Sequence, residues 1–312
     1  NPVNQLASLR ELVDAMVAGQ VDTLLIIDCN PVYTAPAELN FAEHLAAINF
    51  TVQASAYFDE TAALCQWHIP TSHFLEAWSD TRAFDGTATI IQPLIAPLFN
   101  SKTRHEVLGA LLGEGAQRSA YEYVRTYWDG YFVGLAQKPQ ANAEAFWQVC
   151  LHDGVVPNST LPAVEVSVDP TLGGALGNMA APATEGLELI FRPDSSVWDG
   201  RFASNLWLQE LPKHISTLTW DNAALISPAT AERLAFTQGS MAELSFGERT
   251  LEAAVFILPG HPDETVTLTL GYGRTIRGRL AEGLGFNAYT LRTSDTFSFG
   301  AGLELRKLDG QY

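Results

Sequence analysis

The sequence predicts an α/β layer followed by a β-rich second half. Up to about residue 157, apolar residues recur at helical spacing and alternate with short apolar runs of strand length. Beyond it, two-residue alternation takes over, the pattern of half-buried strands. The 312 residues suffice for two domains. These are expected at 1–157, an α/β layer with a helical extension, and at 158–312, a β domain.

The first half opens with Leu6, Leu9, Leu12, Val13, Met16 and Val17, a helical stripe ended by Gly19 where a C-cap belongs. Residues 22–27 read as a buried strand, and 28–31 as the loop leaving its C-terminal end. A helix over 41–48 and a strand over 51–56 repeat the unit, and 67–69 supplies a third short strand. Helix and strand alternating across short loops point to a parallel sheet. Further helices are expected at 107–112, 120–128 and 143–151, the last two separated by Pro139.

The pattern changes across 157–162. Residues 169–184 are rich in Gly, Ala and Pro and read as loop. Strand alternation then runs through Leu187, Leu189 and Phe191, through Ala242, Leu244 and Phe246, through Leu251, Ala253, Val255 and Ile257, and through Val266, Leu268 and Leu270. Residues 246–249 carry hairpin-turn chemistry. A short helix over 228–234 is marked by Ser227 as its cap and Pro228 at its first position.

Composition narrows the function classes. At 47% apolar and 17% charged the chain is globular. Its formal net charge of −17 opposes nucleic acid and anionic lipid as partners. No apolar run approaches the roughly 18–20 residues of a membrane span. The chain starts at Asn1, its first methionine is Met16, and nothing resembles a secretory signal. It is therefore expected to be processed or a piece of something longer. Cys29, Cys65 and Cys150 are odd in number and far apart, which predicts neither a disulfide framework nor a zinc or iron–sulfur cluster.

Two stretches carry chemistry-bearing residues. Glu60, Cys65, His68, His73 and Glu76 are all metal-ligand types. Cys65 and His68 would share a helix face, and so would His73 and Glu76, but Pro70 breaks the element between the pairs. The side chains scatter, and no metal site is predicted. The second stretch sets Arg274, Arg277, Arg279 and Arg292 among Gly271, Gly273, Gly278, Gly283 and Gly285. Glycine-rich backbone with arginine is how proteins hold phosphate; the alternative is a solvated loop balancing local acids. No phosphate loop, HExxH or nucleophile elbow occurs. Nothing selects a Ser–His–Asp triad, and no catalytic residue is assigned.

Several motifs together resemble the molybdopterin oxidoreductase superfamily, the group related to dimethyl sulfoxide reductase. Cys29-Asn30-Pro31 resembles its Gly-x-Asn-Pro turn. Asp59-Glu60-Thr61-Ala62 with His68-Ile69-Pro70 and Phe74-Leu75-Glu76 resembles its segment running from D-E-T-A through A-D-V-V-L-P to L-E, and Asp85-Gly86 its next turn. Trp220-Asp221-Asn222 through Ile226-Ser227-Pro228 resembles the entry to its C-terminal barrel, and GLGFNAY from Gly283 to Tyr289 its late G-x-x-x-N segment. NPVYTAP, QPLIAPLF, LPKHISTLTWDN and LGYGRT look most like the iron–sulfur and molybdopterin-like subunit of alternative complex III, a bacterial membrane-attached quinol-oxidising complex.

The resemblance implies a partial parallel α/β layer plus a C-terminal barrel of the double-psi type. It implies a fragment whose N-terminal part and cysteine-rich, iron–sulfur part lie elsewhere. The expected function is a cofactor-free scaffold among the subunits of a redox complex, membrane-associated on the periplasmic side, with the isolated chain inactive. The alternative is a portion of a true molybdoenzyme, with Asn30, Arg274 and Asn287 lining a pocket for bis-guanylyl molybdopterin. Asp28 stands where the family loop has Gly, and a carboxylate there would repel a pyrophosphate.

Overall fold

The computed structural model describes residues 4–114, 118–177, 186–276 and 281–312. Helix α1 (Gln5–Val17), capped by the Asn4 side chain, leads into strand β1 (Thr23–Ile27). Short helices α2 (Pro31–Thr34) and α3 (Phe41–Ala46) come next, then β2 (Phe50–Ser55), α4 (Glu60–Leu64) and β3 (Trp67–Pro70). The three strands form a parallel sheet in the order β1-β2-β3. Val13, Met16, Ile26, Phe41, Leu45 and Ile48 bury the contact of α1 and α3 with it.

The strand expected to be buried at 22–27 is instead an edge, and in β1 only Ile26 is buried. An apolar run reads as interior when each residue is weighed by hydropathy alone. Burial, however, needs neighbours on both sides of the strand as well as on both faces.

An antiparallel hairpin, β4 (Ser79–Arg82) and β5 (Ala88–Ile91), turns through Asp85-Gly86 and was not legible as alternation. Helices α5 (Arg104–Leu111), α6 (Ala120–Gly134) and α7 (Ala143–Asp153) make the helical extension. Capping boxes Thr103/Glu106 and Ser119/Glu122 start the first two, each Glu reaching back to the cap's backbone N–H. Ile90, Val124, Trp128, Phe132, Phe146 and Trp147 build a second core between hairpin and helices, with Trp128 Nε1 donating to Asp80 at 2.8 Å. The stretch expected as loop over 169–184 contains a short helix, α8 (Leu172–Gly177), before passing outside the described residues.

The second half alternates as its sequence does. It comprises β6 (Leu187–Pro193), α9 (Leu206–Glu210), β7 (Ala224–Ile226), α10 (Pro228–Arg233), β8 (Ser240–Phe246), β9 (Arg249–Ile257), β10 (Thr265–Leu270) and β11 (Phe299–Gln311). Among the described residues six strands close a barrel in the order β10-β6-β11-β8-β9-β7, with β7 returning to β10. β10 pairs β6 in parallel and β7 pairs β9 in parallel, while the other neighbours are antiparallel. The barrel thus joins two parallel pairs through antiparallel ones, which is consistent with the barrel that the resemblance implies. Leu189, Leu244, Val266, Leu268 and Leu303 fill the interior. The β8–β9 hairpin turns at Gly247, whose φ of +59° suits glycine, and Ser227 Oγ accepts from Thr230 N at 3.1 Å to start α10.

The two halves meet through α2. Tyr33 is packed into the barrel's core cluster, and its hydroxyl donates to the Tyr272 carbonyl at 2.6 Å.

Candidate functional site

A cavity of about 530 Å³ lies between the C-terminal ends of β1 and β2 and the loops of the barrel. Open α/β sheets present ligand sites at this end of their strands, and the volume is that of one drug-sized molecule. Asp28, Cys29, Asn30 and Tyr33 line it after β1, and Ser55, Tyr57 and Asp59 after β2. The barrel contributes Asp199, Gly200, Arg201, Arg274, Tyr289 and Arg292.

The loop after β10 places Arg274. Gly273, at φ +66°, lets that loop press against the next one: a Cβ there would lie 2.2 Å from the backbone N of Asn287. Arg274 is 2% exposed and lies over the ring of Tyr33, 4.1 Å from its centroid. Gly200 (φ +99°) is also close-packed, since its Cβ would lie 2.9 Å from the Tyr33 ring, and its carbonyl accepts from Arg274 Nη1 at 2.8 Å.

The guanidinium's other edge faces Glu60. Arg274 Nε donates to Glu60 Oε1 at 2.9 Å, and Nη2 donates to Oε2. Oε1 also accepts from the backbone N–H of Thr275 at 3.1 Å and of Ile276 at 3.3 Å. Asn30 Nδ2 donates to Oε2 at 2.7 Å. Burial alone would raise the Glu60 pKa, but the hydrogen bond and charge of Arg274, with the Asn30 amide, bring it down to about 2.

The three residues expected at a cofactor therefore have different fates. Asn30 and Arg274 come together at the cavity wall, where their hydrogen-bonding groups are directed at Glu60. The other end of Asn30 is used too, its Oδ1 accepting from Thr61 N at 3.2 Å and Thr61 Oγ1 at 2.7 Å. Asn287 does not line the cavity; its side chain caps a 3₁₀ turn, accepting from Tyr289 N at 3.0 Å. Arg277 and Arg279 lie outside the described residues. Arg274 lines the cavity but is buried and paired with Glu60, so its loop is not a solvated one.

The other charged side chains at the cavity have partners as well, though not all of them are opposite charges. Arg201 forms a bidentate pair with Asp199, holding that carboxyl below its usual range against the opposing effect of burial. Asp28 lies 3.4 Å from Arg104. Asp28 has φ +53°, which explains a glycine at this position in the family the loop resembles. Arg292 stacks 3.4 Å from the Phe297 ring centroid and donates to that residue's carbonyl. Cys29 is exposed on the cavity wall, and partial desolvation there with the charges of Asp28 and Asp59 pushes its thiol pKa up. Ser55 Oγ donates to the Tyr57 carbonyl at 2.8 Å, and His68 Nε2 sits 3.1 Å from both the Ser55 hydroxyl and its carbonyl. That nitrogen is thus the donor, and the pair is not a nucleophile with its base.

The residues scattered by Pro70 have structural duties. His73 and Glu76 form a capping box, and Glu76 Oε1 accepts from Leu98 N at 3.1 Å. Among the described residues no group of three or more His, Cys, Asp or Glu is placed to hold a metal ion.

Sequence reasoning passed over Glu60 as an anchor. Its signal was local: Asp59 caps α4 by accepting from Thr61 N and Ala62 N, which turns Glu60, at the first helical position, inward.

No protein-family model matches the chain. A menaquinone reductase, molybdopterin-binding-like subunit, from Nitratidesulfovibrio vulgaris strain Hildenborough is 26% identical over 286 residues, covering 88% of this chain and 39% of the relative. Acetylene hydratase from Pelobacter acetylenicus superposes with a TM-score of 0.64 at 15% identity, over 95% of this chain and 46% of that one. The chain spans less than half the length of either protein. The barrel, the parallel layer and these likenesses together support the molybdopterin oxidoreductase superfamily as the family this chain resembles.

Proposed function

We propose that this chain is part of a scaffold subunit in a membrane-attached, quinone-linked electron-transfer complex, and that it holds neighbouring redox subunits without binding a pterin itself. The observation that carries this reading is the Arg274–Glu60 pair. The cation that would hold a cofactor pyrophosphate already has a carboxylate, and the Asn30 amide is committed to the same carboxylate. The donor set at this cavity does not fit an added dinucleotide.

The relative named as a menaquinone reductase subunit, and the resemblance to alternative complex III, support the quinone-linked setting. On this reading the iron–sulfur clusters belong to parts of the protein outside these residues, the complex sits on the periplasmic side, and the partners are its other subunits. Exposed apolar side chains support the docking role: Leu94, Leu98 and Phe99 in one loop, and Val164, Val166 and Val168 along an extended segment. No helix among the described residues is long and apolar enough to cross a membrane. The division into units at about residue 157 is part of the proposal.

Metal and pterin analysis of the full-length protein, purified with its complex, tests this. Iron without molybdenum or tungsten is expected. Stoichiometric molybdenum or tungsten with a pterin would sink the scaffold reading. The position of the cavity at the strand ends favours the second reading, a portion of a molybdoenzyme. In that case Arg274 has to leave Glu60, and Asn30 and Asn287 have to give up their present partners.

A further inference from the structure

The donors around Glu60 have the form of an oxyanion site. Two successive backbone N–H groups, those of Thr275 and Ile276, point at one oxygen. Successive N–H groups in a turn make an anion-binding concavity. The guanidinium edge of Arg274 meets both oxygens in the fork geometry that suits carboxylate and phosphate alike, and the Asn30 amide adds a fifth donor. All of these donors belong to segments other than that of Glu60, and those of Arg274, Thr275 and Ile276 come from one short loop of the barrel. The site would exist without its occupant.

We propose that this is a self-occupied oxyanion nest. Glu60 is its internal ligand, and a small external oxyanion, carboxylate or phosphate, takes the same place when the Glu60 carboxylate is removed. The internal ligand excludes competitors in the wild type for two reasons. It is tethered, so its effective concentration at the nest is on the order of millimolar or above. Its carboxyl, at a pKa of about 2, stays charged across the neutral range. The occupant also carries mechanical meaning, because it ties α4 of the sheet layer to the barrel. The inference goes beyond the scaffold reading and is separable from it. Molybdenum in the assembled protein would overturn that reading without touching the nest, and failure of the nest would leave metal analysis unaffected.

The test compares the full chain with its Glu60→Ala variant by thermal melting and calorimetric titration. Sodium formate, sodium acetate and inorganic phosphate are each set against sodium chloride at matched ionic strength. The variant is expected to melt below the wild type and to regain most of the loss, saturably, with formate or acetate. A response to phosphate as well would widen the class of ligand to both chemistries, and a response to carboxylates alone would confine it to them. The wild type should show no saturable response, and neither should the double variant Glu60→Ala/Arg274→Ala. Should Glu60→Ala not fold in chloride, the readout becomes the recovery of folded protein on refolding in formate. The proposal is overturned if formate, acetate and phosphate do no more than chloride for melting or refolding, or if the double variant responds as the single one does.

Discussion

The parallel sheet and the barrel solve the same problem in opposite ways. In the barrel every strand has a neighbour on each side, and inward positions alternate cleanly, as in β8, where Ser240, Ala242, Leu244 and Phe246 are buried and the residues between them are half-buried. In the sheet, β1 and β3 are both edges, and large apolar residues such as Trp67 and Phe50 are exposed. Closure removes edges, so a barrel's stability is internal to it. A three-strand parallel sheet lacks that closure and depends on what is laid against it. Here the layer gains part of its hold from the barrel, through Tyr33, Glu60 and Arg274.

The sharpest way to break the comparison is to cut that tie. Arg274→Ala leaves the Glu60 carboxylate buried without its cation, which costs about 3–5 kcal/mol. A lowered denaturation midpoint, with the sheet's amides losing exchange protection before the barrel's, is the expected result. An unchanged melt would show that the layer does not need the barrel.

Core truncations come next. Leu244→Ala, at a fully buried barrel position, should cost about 2–5 kcal/mol. Leu25→Ala in the half-buried edge strand should cost roughly 1 kcal/mol. Equal values in urea unfolding would erase the distinction drawn between the two regions.

Acid should act on the tie in the same direction. The Glu60 pKa is lowered from 4.5 to about 2 on folding, so the unfolded chain binds the proton more readily. The stabilisation is therefore complete above about pH 4.5, and falls away as the pH drops toward 2. The loss is on the order of 3 kcal/mol. Glu60→Gln should remove that part of the pH dependence, measured as the difference in unfolding free energy between pH 6 and pH 3.

The smallest effects test the helix starts. Ser119→Ala removes the cap of α6 and should cost about 1 kcal/mol. Ser227→Ala should cost more, because that hydroxyl is buried and also donates to Asp263. Thermal melts of the two variants rank them.

Much of the fold was legible. The α1 stripe, the strands near 51–56 and 67–69, the cap at Ser227 and the β8–β9 hairpin all lie where local pattern puts them. Such features depend on contacts a few residues apart. The β4–β5 hairpin escaped notice because its strands are four residues each and carry little alternation. Of the site, the Asn30 turn and the glycine-rich Arg274 loop stood out in the sequence, but the carboxylate between them did not. Glu60 and Arg274 are 214 residues apart, and no local rule joins them.

By itself the sequence determined the periodicities, the acidic surface and the family motifs, because each is a property of neighbouring residues or of the whole composition. The tertiary structure alone decided that β1 is an edge, that the barrel closes, and that the arginine suited to a phosphate spends its charge on Glu60. These outcomes depend on which distant segments meet, and the free energy of a buried charge is set by the partner it meets there.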